Sequence, residues 1–250
     1  MYKKQLMNSN NINYLLFEPV HYNKHVTVII YHGWGSSIYN QTFFANILAN
    51  FGYTVIIPEI IYHDSRQPLL NYFSKTIMEQ YFWKTILQSV EEVPMFIHGL
   101  SLSDHKLIVF GSSMGGFIAS GTFVQEHQIE ALINVNGSGA WLTSEEMFQK
   151  QGSDAYSDID AIKRLDPINF LHNFKNRPIL LLHGLEDQII SPIGQQTFYE
   201  QALAYGEIEN TNLSLTLYPH INHSISLPML ENVVNWIEEK FVISKNTHQS

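Results

Sequence analysis

Between an apolar run and a helix-like run, the chain places Phe110-Gly111-Ser112-Ser113-Met114-Gly115-Gly116-Phe117. Gly111, Ser113 and Gly115 fit the pattern G-x-S-x-G, in the strand-then-helix context that this pattern requires. A serine held at the tip of so sharp a turn takes a strained backbone angle, and the flanking glycines leave room for the neighbouring strand and helix. Its hydroxyl then projects above the sheet at a helix N-terminus, where the helix dipole and the Met114 N–H favour an oxyanion. Gly116 lets the helix pack close. A plain glycine-rich turn also satisfies the bare pattern; the strand before it and the helix after it favour a nucleophile. Ser112 is the competing hydroxyl, but it is not centred between the glycines.

A serine hydroxyl is a poor nucleophile until a base takes its proton, and the base needs an orienting acid. For this strand-turn-helix arrangement the acid and the histidine are expected after the serine, in that order, on loops at the carboxyl ends of later strands. His183-Gly184-Leu185-Glu186-Asp187 follows an aliphatic run and offers Glu186 and Asp187. Tyr218-Pro219-His220-Ile221-Asn222-His223-Ser224 offers His220 and His223. Of 12 histidines, these two alone lie after Asp187 on a strand-end loop ahead of a terminal helix, since His248 is in the tail. The second oxyanion donor is expected from Tyr31-His32-Gly33-Trp34-Gly35-Ser36, whose glycines let backbone N–H groups turn toward Ser113. The Trp34 N–H is the candidate. The His32 and Trp34 side chains read equally well as substrate contacts and as a bonded loop histidine and a core-covering aromatic.

Positioning these residues requires a rigid frame, and short runs apolar on both sides supply it. They are 26–31, 54–57, 107–110, 132–135 and 179–182, each four to six residues long and without alternation. Such strands belong to a parallel sheet covered on both faces. Helix-like spacing follows at 41–51, 72–100, 117–126, 194–205 and 227–241. The alternation predicts an α/β chain with a doubly wound, mostly parallel sheet. Leu213-Ser214-Leu215-Thr216-Leu217 does alternate, as an edge strand with one solvated face would, and 11–17 reads as an N-terminal strand. Residues 138–177 separate two strand runs by about forty residues, longer than one crossover helix needs. They hold Trp141, Met147, Phe148, Tyr156, Phe170 and Phe174 among polar residues and read as a small helical cap over one end of the sheet. The 250 residues carry no repeat or linker and are read as one domain with this insertion.

Composition narrows the chemistry. The chain is 45% hydrophobic and 15% charged with a formal net charge of -9. With no Lys/Arg cluster, neither nucleic acid nor an anionic membrane is expected as the main partner. The absence of cysteine excludes disulfides, thiolate nucleophiles and Cys-ligated metals. No run approaches a membrane span, and the N-terminus has no apolar segment of signal-peptide length, so the expectation is a soluble, cytoplasmic protein. No H-E-x-x-H, Walker or dinucleotide glycine motif is present, and no metal or organic cofactor is expected.

Taken together, these residues resemble the α/β-hydrolase superfamily over nearly the whole chain. The resemblance rests on His32-Gly33-Trp34-Gly35, the 111–115 elbow, His183 to Asp187 and Asn222-His223-Ser224, in the family's order and spacing. Within the superfamily the chain is similar to the small dienelactone-hydrolase and prolyl-oligopeptidase-like bacterial esterases. Dienelactone hydrolases proper use a cysteine where this chain has Ser113, and the propeller of prolyl oligopeptidases has no counterpart in this sequence. The resemblance implies Ser113 as nucleophile, Asp187 rather than Glu186 as acid and His223 rather than His220 as base. It also implies that the loop 58–66 lines the pocket, with Tyr62, His63 and Arg66 against an acyl or acidic group, although Arg66 reads equally well as the partner of a surface carboxylate. Trp141, Met147 and Phe148 are expected either around a small apolar acyl pocket or, equally, in packing of the cap on the body. The expected activity is hydrolysis of carboxylic esters of small molecules. A peptidase, amidase or thioesterase using the same residues is the enzymatic alternative, and a non-catalytic binder on the same fold is the alternative of another class.

Overall fold

A computed structural model describes residues 1–100, 102, 104–206, 208, 209 and 211–242; His248 lies outside the described residues. The sheet is built from β1 (Tyr2–Ser9), β2 (Ile12–Pro19), β3 (Val26–Tyr31), β4 (Thr54–Pro58), β5 (Lys106–Ser112), β6 (Ile129–Val135), β7 (Ile179–Gly184) and β8 (Leu213–Tyr218). Their order is β1-β2-β4-β3-β5-β6-β7-β8. β1 pairs antiparallel with β2, and β2 with β4; every other neighbour is parallel. This is the mostly parallel α/β architecture that the apolar runs predict.

Helices cover both faces. They are α1 (Thr42–Asn50), α2 (Lys75–His98), α3 (Met114–Gln125), α4 (Trp141–Lys150), α5 (Ile159–Leu165), α6 (Ile193–Tyr205) and α7 (Leu227–Ile237). Each central strand feeds two cores at once. Leu107 and Val109 of β5 join the layer under α2, α3 and α6, whereas Ile108 and Phe110 join the layer under α1 and α7. Alternate side chains of a strand point to opposite faces, so a strand buried on both sides shows no alternation in sequence.

β1 is absent from the sequence expectation for the converse reason. From Lys3 to Asn8 its side chains are all exposed, so it has no apolar face to reveal. Between β6 and β7 the chain forms α4, α5 and a 3-10 segment, Pro167–Asn173. These pack on α2, α3 and α6. The start of α4 has no capping side chain of its own. Asp166 supplies one from across the segment, accepting the Trp141 and Leu142 N–H groups, each at 2.9 Å. Burial pushes the Asp166 carboxyl up, while those N–H donors pull it back. Among the described residues no helix is long and apolar enough to cross a membrane.

Candidate active site

β5 runs directly into α3, and Ser113 sits at the junction with φ 56 and ψ −126. A non-glycine residue rarely takes that conformation, and its cost is met by the surrounding structure. A Cβ on Gly111 would lie 1.9 Å from the Gly115 carbonyl oxygen, and one on Gly115 would lie 2.0 Å from that of Tyr31. Both positions therefore require glycine for the turn to close against β3. The Ser113 N–H donates to the Val135 carbonyl at the end of β6, 3.0 Å away.

The Ser113 hydroxyl lies 2.8 Å from His223 Nε2, and His223 Nδ1 lies 2.7 Å from Asp187 Oδ2. With Nδ1–H donating to the carboxylate, Nε2 is left as acceptor for the serine proton. Asp187 stands on the loop after β7 with its side chain fully buried. Its Oδ1 accepts the Ile189 and Ile190 N–H groups, both at 2.9 Å, and His183 Nε2 lies 3.2 Å from Oδ2. Burial by itself would raise this carboxyl, but hydrogen bonds from His183 and His223 outweigh it and hold Asp187 far below the usual carboxylate range. The remaining candidates pair elsewhere. Glu186 and His220 form a separate pair at 3.0 Å on the surface, and neither is bonded to Ser113.

The loop after β3 approaches the serine closely: a Cβ on Gly33 would stand 3.1 Å from Ser113 Cβ. Among the described residues, neither the Trp34 nor the Met114 N–H has an acceptor. Two backbone donors beside a serine hydroxyl are suited to receive an oxyanion. The loop is fixed from behind. Gly35 N–H donates to His63 Nε2 at 3.1 Å, Ile38 N–H to Asp64 at 3.2 Å, and the Trp34 indole N–H to the Tyr72 carbonyl at 2.7 Å. His32 Nε2 lies 3.3 Å from the same Asp64 carboxylate.

Several residues expected to touch substrate do something else. His32 and His63 are fully buried and serve as supports of the Gly33–Ser36 loop rather than as pocket lining. The His63 ring stacks on Tyr72 with centroids 4.7 Å apart. Its Nδ1 faces the Ile61 carbonyl and its Nε2 accepts from Gly35, the pattern of a neutral imidazole. Burial, reinforced by neighbouring His32, lowers its pKa to about 4. Arg66 is not free for an acidic substrate, because both terminal nitrogens bond Glu92 at 2.8 Å and one also reaches the Glu59 carbonyl. Trp141 is fully buried against Trp83 and packs the interior instead of presenting a face to substrate. Tyr62 is half-buried, with its ring edge-on to Tyr81 at 5.0 Å. Phe148 is half-buried and contacts Phe82 and Phe117, and Phe82 in turn contacts Trp34. These four rings form an apolar cluster running from the Gly33–Ser36 loop to α4.

The sequence patterns assign no role to Asp64, His183, Asn136 or Asn222, all of which the structure places in support of the site. Asn222 accepts the N–H groups of His223 and Gln188 at 2.7 and 3.2 Å, tying the histidine loop to the Asp187 loop. For Asn136 the available signal is the pair Asn136-Gly137, since Asn-Gly marks a left-handed turn at a strand end.

This fold, with a serine at the β5–α3 turn, defines an α/β-hydrolase. Its backbone superposes on the crystal structure of TT1662 from Thermus thermophilus with a TM-score of 0.81, at 17% identity over 96% of this chain and 98% of that one. It matches the Pyrococcus horikoshii acylaminoacyl peptidase at 0.72 and 18% identity, over 96% of this chain and 42% of the peptidase. Residues 12–234 match the dienelactone hydrolase family, and the chain belongs to that family. Esterase YjfP of Escherichia coli strain K12 is 27% identical over 226 residues, covering 85% of this chain and 88% of the relative. The chain is thus an enzyme with hydrolase activity.

Proposed function

We propose that the protein hydrolyses carboxylic esters of small molecules through an acyl-enzyme, with Ser113 as nucleophile, His223 as base and Asp187 as the orienting acid. The reading is carried by the continuous hydrogen-bond chain from Ser113 Oγ through both nitrogens of His223 to Asp187. The serine attacks the acyl carbon as its proton passes to Nε2. The Trp34 and Met114 N–H groups receive the developing oxyanion, and the imidazolium then protonates the leaving alkoxide. Water, deprotonated by the same imidazole, attacks the acyl-serine and releases the acid. Asp187 stays ionised throughout and holds the Nδ1–H tautomer. The name of the Escherichia coli relative supports an ester as the scissile group.

The apolar cluster of Trp34, Phe82 and Phe148 is read as the acyl side of the site. The test is p-nitrophenol release from acetate, butyrate and octanoate esters by wild type and Ser113→Ala, with an amide and a thioester as parallel substrates. Activity on the short esters, lost in Ser113→Ala, is expected. Activity that survives Ser113→Ala, or that disappears in Ser112→Ala instead, overturns the assignment. A clear preference for the amide or thioester replaces the ester reading.

A further inference from the structure

Three segments must meet for the proposed triad to form: the elbow after β5, the acid loop after β7 and the base loop after β8. They converge on one pair of residues at the end of β6, Val135 and Asn136. The Val135 carbonyl accepts the Ser113 N–H at 3.0 Å. Next to it, Asn136 takes φ 50 and continues the ladder by donating its own N–H to the Leu182 carbonyl at 2.9 Å. The residue is 2% exposed, and both ends of its amide are engaged. Oδ1 accepts the Gly184 N–H and Nδ2 donates to the Ser224 carbonyl, each at 2.9 Å. Gly184 accepts from the Asp187 N–H at 3.2 Å, so the Oδ1 bond fixes the base of the acid's own turn. Ser224 follows His223 directly. One planar amide therefore sets the spacing between the acid loop and the base loop, while its neighbour's carbonyl holds the nucleophile.

We infer that Asn136 is a positioning residue for the triad, holding the His223 loop in register with Asp187 and Ser113. Asparagine suits the place for two separate reasons. It tolerates the left-handed backbone, and its amide offers one acceptor and a donor pointing in opposed directions, which no carboxylate, hydroxyl or apolar side chain does. The inference rests on the triad reading above.

Two variants separate these reasons. Asn136→Gly keeps the positive φ without strain and removes both bonds. Asn136→Asp keeps an acceptor for Gly184 and loses the donor to Ser224. With a short-chain ester, kcat is expected to fall about tenfold to a hundredfold in Asn136→Gly at nearly unchanged KM, as for a small misplacement of reacting groups. Asn136→Asp, which sets a buried carboxylate oxygen against the Ser224 carbonyl, is expected to lose at least as much. The downfield proton resonance of the His223 Nδ1–H shared with Asp187 should weaken or vanish in Asn136→Gly. Phe174→Leu, a core change between α3 and α6, serves as a control at matched melting temperature and should keep that resonance. Wild-type kcat and resonance in Asn136→Gly overturn the assignment. So does a loss no greater than that of Phe174→Leu at equal stability, or failure of both Asn136 variants to fold. If Ser113→Ala abolishes activity while Asn136→Gly retains it, only this inference fails. If Ser113→Ala is active, the triad reading itself fails.

Discussion

His63 gives a quantitative handle on how the Gly33–Ser36 loop is held. In the unfolded chain an imidazole takes a proton near its ordinary value of 6.5, whereas in the native protein burial against Trp34, Tyr72 and His32 lowers that value to about 4. Between those two values the unfolded chain binds more protons than the native one, so stability falls as pH falls. The contribution of a neutral, buried His63 is complete above pH 6.5 and is lost progressively toward pH 4. At pH 4.5 the linkage amounts to about 2.5 kcal/mol relative to neutral pH. The perturbation is His63→Gln, which cannot titrate but keeps an acceptor and a donor. Urea unfolding followed by tryptophan fluorescence at pH 7 and pH 4.5 gives four stabilities. The wild type should lose about 2.5 kcal/mol more than the variant on acidification. Asp187 and His105 are common to both proteins, so their own titrations cancel in the difference. Equal losses in the two proteins would refute the reasoning, because His63 would then be neither buried as a neutral ring nor coupled to folding. Protonation matters beyond stability: an imidazolium has no lone pair for the Gly35 N–H and would push that loop away from Ser113.

Three further outcomes are expected. Asp187→Asn should lower kcat by about a thousandfold or more at neutral pH, since an amide no longer selects the Nδ1–H tautomer; the same loss from Glu186→Gln would reassign the acid. His223→Ala should abolish ester hydrolysis, while His220→Ala should keep most of it, because His220 pairs with the exposed Glu186 and not with Ser113 or Asp187; initial rates on p-nitrophenyl butyrate decide. Phe148→Ala should move the optimum of the ester series toward longer acyl chains, by opening the cluster that Phe82 and Phe117 share; an unchanged chain-length profile would place the acyl group elsewhere.

The strands were legible because their burial is two-sided, and an unbroken apolar run as short as 107–110 fits little else than a strand covered on both faces. β1 was illegible because no side of it is buried along most of its length. The elbow could be read from its glycines, each of which meets a backbone atom at a distance no side chain tolerates. Roles that depend on where a loop folds back were not legible. Glu186 and Asp187 are adjacent and chemically alike, and only the fold turns one into the interior and the other outward. His32 and His63 carry the same side chain as His223, so their burial and loop-supporting function could not be told from pocket lining. Asn136 bonds residues 48 and 88 positions away, a separation that no local pattern encodes.

The bond between Ser113 and His223 joins residues 110 positions apart. Closing so long a loop is costly until the intervening strands have paired, so contacts of this kind form late in folding. β7 and β8 must be added to the sheet before acid and base reach the serine. On the proposed assignment, a chain without β7 and β8 in place would have no base beside the elbow serine. Its hydroxyl would then be no better a nucleophile than any other serine. Hydrolytic competence on this assignment requires the completed sheet, so activity regained on refolding reports that β7 and β8 have both docked.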